Sequence, residues 1–130
     1  MKRVVIESPF NGKDKEEVKL HIEYVRACIF DSLNRGEAPF ASHIFFTQPG
    51  ILNDDNPEDR RKGIEVSLEI TRDFDLTAVY CDFGTSSGMR YGIERARKLN
   101  RPIEERLLGK NWKEKYDLRI EACSFFQDIF

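Results

Sequence analysis

Two periods alternate along this 130-residue chain, and their alternation predicts strands and helices in turn. Val4, Val5 and Ile6, within a first strand at 3–7, form the short continuous apolar run of a buried parallel strand, and the turn-rich Glu7-Ser8-Pro9-Phe10-Asn11-Gly12 follows. Val18, Ile22, Val25, Ile29 and Leu33 then recur at helical spacing, with Asp14 as N-cap and Gly36 as terminator, while His21 and Tyr24 fall off that stripe. Phe40 to Phe46 predicts a second strand. Asn56-Pro57-Glu58-Asp59 has the cap, first-turn proline and early acids of a helix reaching about Asp73, with Ile64, Leu68 and Thr71 inward and its many charges as a solvated face.

The longest coherent signal is residues 76–108. An apolar run from Leu76 to Cys81 predicts a strand over 76–82, and Asp82-Phe83-Gly84-Thr85-Ser86-Ser87-Gly88 a polar loop. Met89, Ile93, Ala96 and Leu99 recur at helical spacing until Asn100 and Pro102 stop the helix, and 102–108 predicts a fourth strand. Trp112, Tyr116, Ile120, Cys123, Phe126 and Phe130 suggest a final helix, although Leu118, Ile120 and Ala122 also alternate as a strand would.

This order predicts one α/β domain spanning 1–130: a doubly wound parallel sheet with helices on both faces, a flavodoxin-like or Rossmann-like three-layer sandwich with the first and third strands adjacent. In such sheets ligands sit beyond the carboxyl ends of the strands. The region from Asp82 to Met89 therefore comes first as a candidate site, and the first helical turn there offers backbone amides to a phosphate or carboxylate.

Charge and composition narrow the function classes. The 21 basic and 23 acidic residues are spread along the chain, which argues against duplex nucleic acid as partner. The chain offers no long apolar segment and no signal-like start, so we expect a soluble cytoplasmic protein without a membrane partner. Three well-separated cysteines and two unpaired histidines give neither a disulfide framework nor a zinc signature, and no cofactor or metal is implied. No GxGxxG follows the first strand and no GxxxxGK[ST] occurs, which disfavours a dinucleotide dehydrogenase or a P-loop NTPase.

A set of short motifs does occur in a recognisable order: Ser8-Pro9-Phe10 at the end of the first strand, Asp82 at the end of a later one, Ser87-Gly88-Met89 opening a helix, and Leu99-Asn100-Arg101-Pro102-Ile103 closing it. In these the chain resembles the nucleoside 2-deoxyribosyltransferase-like superfamily, including its small phage and bacterial members, over most of residues 3–108. The resemblance implies a nucleoside or nucleotide substrate and cleavage or exchange of its N-glycosidic bond, through a glutamate at the anomeric carbon of the sugar. It also implies a homo-oligomer, most simply a two-fold homodimer, for which the aromatic tail (Trp112, Phe125, Phe126, Ile129, Phe130) is a second motive.

The chain departs from the pattern at its chemical centre. The glutamate is expected four residues after the glycine of the Ser-Gly step, and that position is Gly92. The tyrosine expected on the first strand is replaced by Val5 and Ile6, and Glu7 stands where a small residue is usual. Two carboxylates are therefore candidates for catalysis: Glu7, and Glu94, which lies about 200° further around the helix than position 92.

Each candidate also has a plain structural reading. Glu7 could simply pair with Arg90 or Arg3, His43 could be a satisfied half-buried histidine, and Asp82 could cap a turn instead of gripping a sugar hydroxyl. Gly84 and Gly88 suit turn geometry or close approach of a phosphate; Tyr91 could stack on a base or on the sheet; Arg90 could bind phosphate or stand idle. The candidate binding set is Ser8, Pro9, Phe10, His43, Asp82, Gly84, Ser87, Gly88, Met89, Arg90 and Tyr91. Three classes stay open: an enzyme acting on an N-glycosidic bond as hydrolase or transferase, a nucleotide-binding sensor or sequestering protein without turnover, and a structural interaction protein.

Overall fold

The computed structural model describes residues 1–129, with side chains as far as Cys123. Four parallel strands, β1 (Arg3–Glu7), β2 (Ala38–Phe40), β3 (Leu76–Tyr80) and β4 (Ile103–Arg106), pair in the order β2-β1-β3-β4. Helices α1 (Lys15–Asn34), α2 (Ser42–Phe45), α3 (Pro57–Thr71), α4 (Ser87–Lys98) and α5 (Trp112–Ile129) connect and follow them, giving a three-layer α/β fold. β1 and β3 are adjacent, with Val4 opposite Leu76 and Glu7 opposite Val79. The chain leaves β1 toward β2 on one side and later reaches β3 on the other, so the switch point lies between β1 and β3. Every residue of β3 is buried, as its unbroken apolar run requires of a central parallel strand.

The helix termini follow local chemistry. Asp14 caps α1 by accepting from the Glu17 amide, and Asn56 caps α3 by accepting from Glu58 and Asp59. Asn100 takes φ 55° at the end of α4, where the Arg101 amide closes back on the Ala96 carbonyl at 2.8 Å. At the C-terminal end the residues over 112–129 are helical, which settles the helix-or-strand alternative.

Three expectations are corrected. The strand expected over 40–46 ends at Phe40, and Ser42–Phe45 is a helical turn in which the Phe45 and Phe46 amides reach the Ala41 and Ser42 carbonyls. A short apolar run is ambiguous by periodicity. Here ring contacts of Phe40 with Phe45, Phe46 and Phe74 favour the compact form. On α1 the buried face is His21, Tyr24, Val25, Cys28 and Ser32, and Leu33 is 54% exposed. The polar members can turn inward because each has a partner: His21 Nδ1 lies 2.9 Å from the Asn11 carbonyl and Ser32 donates to Glu37 at 2.7 Å. Trp112, counted as tail surface, instead packs edge-on against Tyr24 and Phe83 beside the core. The side chains of Phe125, Phe126, Ile129 and Phe130 lie outside the described residues.

One buried polar cluster ties the far sheet edge to α1. Arg106, its side chain 2% exposed, holds Glu37 through two parallel bonds of 2.8 and 2.7 Å and also donates to Tyr80 and Glu104. That pairing holds the Glu37 carboxyl below its ordinary range. No helix among the described residues is long and apolar enough to cross a membrane.

Candidate functional site

A cavity of about 550 Å³ opens between α3, α4 and the carboxyl end of β1. It exists because β2 stops early. β1 pairs with β2 only through Val5, and beyond that level the chain has turned into α2, leaving Glu7 and Ser8 to line an open crevice. α2 then sets His43 over Ser8, with Ser8 Oγ and His43 Nε2 2.9 Å apart and the Phe10 ring edge-on to the imidazole at 5.8 Å. Burial pushes His43 down to about 4, so its ring is neutral at pH 7.

Glu7 is the distinctive group. Its carboxyl makes no hydrogen bond or ion pair among the described residues, and burial raises it to about 8, an effect partly opposed by the Arg101 guanidinium. The carboxyl lies against the backbone of α4 at Gly92. A Cβ at that position would stand 2.2 Å from Glu7 Oε2 and 2.4 Å from its carboxyl carbon. The space in which a side chain at position 92 would begin is thus filled by a carboxyl delivered from β1.

The structure gathers Glu7, Ser8, Phe10, His43, Ser87, Gly88, Met89 and Tyr91 around this cavity. The Met89 amide, expected to be free for a ligand, is taken by Ser86 Oγ at 3.2 Å, and the Met89 side chain is buried, its sulfur receiving the Ser86 amide. Pro9, Asp82, Gly84, Arg90 and Glu94 do not line the cavity. Asp82 accepts from the Tyr24 hydroxyl and from the amides of Leu108 and Gly109 at 2.9 and 3.0 Å, so its carboxylate joins β3, α1 and the segment after β4. Gly84 serves the turn after β3 at φ 80°, its amide on the Cys81 carbonyl. Glu94 is exposed and lies 3.7 Å from Arg97. Neither cation expected beside Glu7 is there: Arg3 engages Asp75 and Asp73, and the charge acting on Glu7 is Arg101.

Sequence reading missed Gly92 as a packing partner, and also Arg95, Arg101 and the α3 wall formed by Gly63, Ser67, Leu68 and Thr71. The small residues Gly63 and Ser67, four apart, are a signal that was present for that wall. Nothing local distinguishes Arg95 or Arg101 from the neighbouring arginines. Ser86, the N-cap of α4, was legible as a serine directly before a helix.

Comparison with known proteins adds a family and a fold. Residues 2–106 match the model of a domain of unknown function, DUF7768, and the chain belongs to that family. No curated protein sequence matches it. Among solved structures the fold is similar to that of a 2-deoxyribosyltransferase from the psychrotolerant bacterium Bacillus psychrosaccharolyticus, at 17% identity and a TM-score of 0.56, over 81% of this chain and 72% of that one.

Proposed function

We propose that this DUF7768 domain cleaves or transfers at the N-glycosidic bond of a nucleoside or nucleotide, with Glu7 as the carboxylate at the anomeric carbon. The observation that carries the reading is the Glu7 carboxyl, without a hydrogen bond or ion pair among the described residues, facing the cavity from the space above Gly92. The motif resemblance expects a glutamate at position 92, and here β1 supplies a carboxyl to the space where that side chain would begin. The fold shared with a 2-deoxyribosyltransferase supports the same substrate class.

In this mechanism a Glu7 oxygen bonds to, or electrostatically stabilises, the anomeric carbon as the bond to the base nitrogen breaks, and the base leaves with the bonding pair and takes up a proton. Water, or a second base, then attacks the same carbon, loses a proton to solvent in place of the one the departing base took up, and frees the carboxylate. Phe10 offers an apolar ring to the base, and neutral His43 with Ser8 offers hydrogen bonds at the cavity wall.

Because the reacting form is the carboxylate, turnover should rise with pH and level off above about 8, the value to which burial lifts Glu7. A second reading, ligand binding without turnover, is favoured by that same burial, which keeps Glu7 protonated at neutral pH. Chromatography of free base released from nucleosides and nucleoside monophosphates, run beside calorimetric titration, decides between them. Glu7→Gln should preserve binding and remove base release by orders of magnitude. Saturable binding with no base released by the wild type at pH 8.5 establishes the second reading, and absence of both binding and release defeats the two together.

A further inference from the structure

Two guanidinium groups border the buried end of the cavity, and neither has an anion of its own among the described residues. Arg101, in the turn before β4, is 7% exposed; its Nη1 donates to Thr77 Oγ1 at 3.3 Å and its Nη2 to the Thr71 carbonyl at 2.6 Å. Arg95, on α4, donates from Nη2 to the Leu68 carbonyl at 3.3 Å. The Nε of each is buried without a hydrogen-bond partner, and neither side chain is ion-paired to a carboxylate among the described residues. Arg106 in the same fold shows the usual arrangement for a buried cation, a bidentate bond to Glu37. The carboxylate acting on Arg101 is Glu7, which supplies at most one negative charge against two positive ones. The other cavity acids are occupied elsewhere, Asp54 with Arg60 at 3.3 Å and Asp59 with the Asn53 amide at 2.9 Å.

The positions along α4 give this surplus charge a chemical meaning. Gly88, Gly92 and Arg95 all line the cavity and are spaced i, i+4, i+7, on one helix face. At 1.5 Å rise per residue Arg95 lies roughly 4.5 Å beyond Gly92 along the axis, and Gly88 roughly 6 Å before it. The Glu7 carboxyl at Gly92 therefore stands between the cationic buried end and the part of the cavity lined by Phe10 and His43. A ligand with its sugar at Glu7 and its base among those rings extends its remaining substituent toward Arg95.

We propose that this buried end is a subsite for a phosphate monoester, with Arg95 the principal donor and Arg101 its charge partner, so that the substrate is a nucleotide entering phosphate first. The proposal rests on the cavity being the substrate site read above. It sets the phosphate on guanidinium groups and not on the exposed amides opening α4. Two guanidinium charges match a phosphate dianion, and the planar donors of Arg suit its oxygens.

Calorimetric titration of the full chain with ribose 5-phosphate and with ribose tests it. Saturable binding of ribose 5-phosphate is expected, with ribose at least tenfold weaker. Arg95→Gln should weaken ribose 5-phosphate by tenfold or more, whereas Arg97→Gln, which removes an exposed guanidinium of the same helix that pairs with Glu94 outside the cavity, should change it less than threefold. Equal affinity for ribose, an unaffected Arg95→Gln, or an equal loss in Arg97→Gln overturns the subsite. Should Arg95→Gln not fold, NMR of the wild type replaces it: added phosphate must shift the Nε–H resonances of Arg95 and Arg101, and unmoved resonances at saturation reject the proposal. Binding is scored without turnover. Retained Arg95-dependent binding with no base release therefore removes the catalytic reading alone, and base release from nucleosides with no effect of phosphate removes the subsite alone.

Discussion

Replacing Glu7 by Gln isolates the energetic consequence of burying a carboxyl group that has no partner among the described residues. In the unfolded chain the group ionises near 4.5, and in the folded protein burial lifts it to about 8. Between these values the unfolded state has given up its proton while the native state keeps it, so stability falls as pH rises, and it is level above about 8. At about 1.4 kcal/mol per pH unit, the burial costs about 3 kcal/mol at pH 7 and about 5 kcal/mol above pH 8. Glutamine is close in shape and has nothing to ionise, so the variant avoids that cost. Glu7→Gln should therefore match the wild type near pH 4 and exceed it progressively toward pH 8. Urea unfolding of both proteins at pH 4, 7 and 8.5, compared at equal m, measures the difference. A gap that does not change with pH, or a variant less stable than the wild type at pH 8.5, would refute the reasoning.

Other substitutions test separate parts of the fold. Gly92→Ala sets a Cβ 2.2 Å from Glu7 Oε2 and must push the carboxyl aside, while alanine favours the helix by about 1 kcal/mol. Thermal stability should hold, and any base release by the wild type should fall by tenfold or more; unchanged turnover would show that the carboxyl position is unimportant. Asp82→Asn keeps one acceptor for three donors and sets an amide against a backbone N–H, so it should cost about 2–3 kcal/mol in urea unfolding without altering ligand affinity. Glu37→Gln breaks the bidentate bond of buried Arg106 and should cost about 3–5 kcal/mol at pH 7. Because Glu37 is held below its ordinary range, that contribution is present above its unfolded value and is lost as pH falls through the folded one, so the penalty should shrink in acid unfolding curves.

Much of the fold was legible because the strongest signals were local. The continuous run of β3, the Asn56-Pro57 start of α3 and the Asn100-Arg101-Pro102 stop of α4 each specify backbone within a few residues. Long-range polar pairing was not legible. Tyr24 and His21 read as outward-facing on helical periodicity, and they are buried because Asp82 and the Asn11 carbonyl, distant or outside the helix, meet them. Asp82 itself looked like a ligand group, since an acid at the end of a parallel strand is common to both roles. Its three donors come from α1 and from the segment after β4, which no spacing in the sequence connects to it.

The misjudged second strand and the candidate site have one cause. Had β2 continued through Phe46, it would have run beside β1 past Val5 and covered the level at which Glu7 and Ser8 emerge. Its early end at Phe40 exposes that level, and the α2 turn that replaces it brings His43 onto Ser8. Gly92 completes the arrangement from the opposite wall. The missing Cβ on α4, which removed the expected glutamate, is also what lets the Glu7 carboxyl occupy the cavity there. A carboxyl anchored on β1, whose pairing with β3 fixes Glu7 opposite Val79, depends on fewer torsions outside the sheet than one carried by a surface helix. The loss at position 92 and the gain at position 7 are therefore one packing solution. Neither residue shows it alone, since Gly92 reads as a lost glutamate and Glu7 as a strand-end acid.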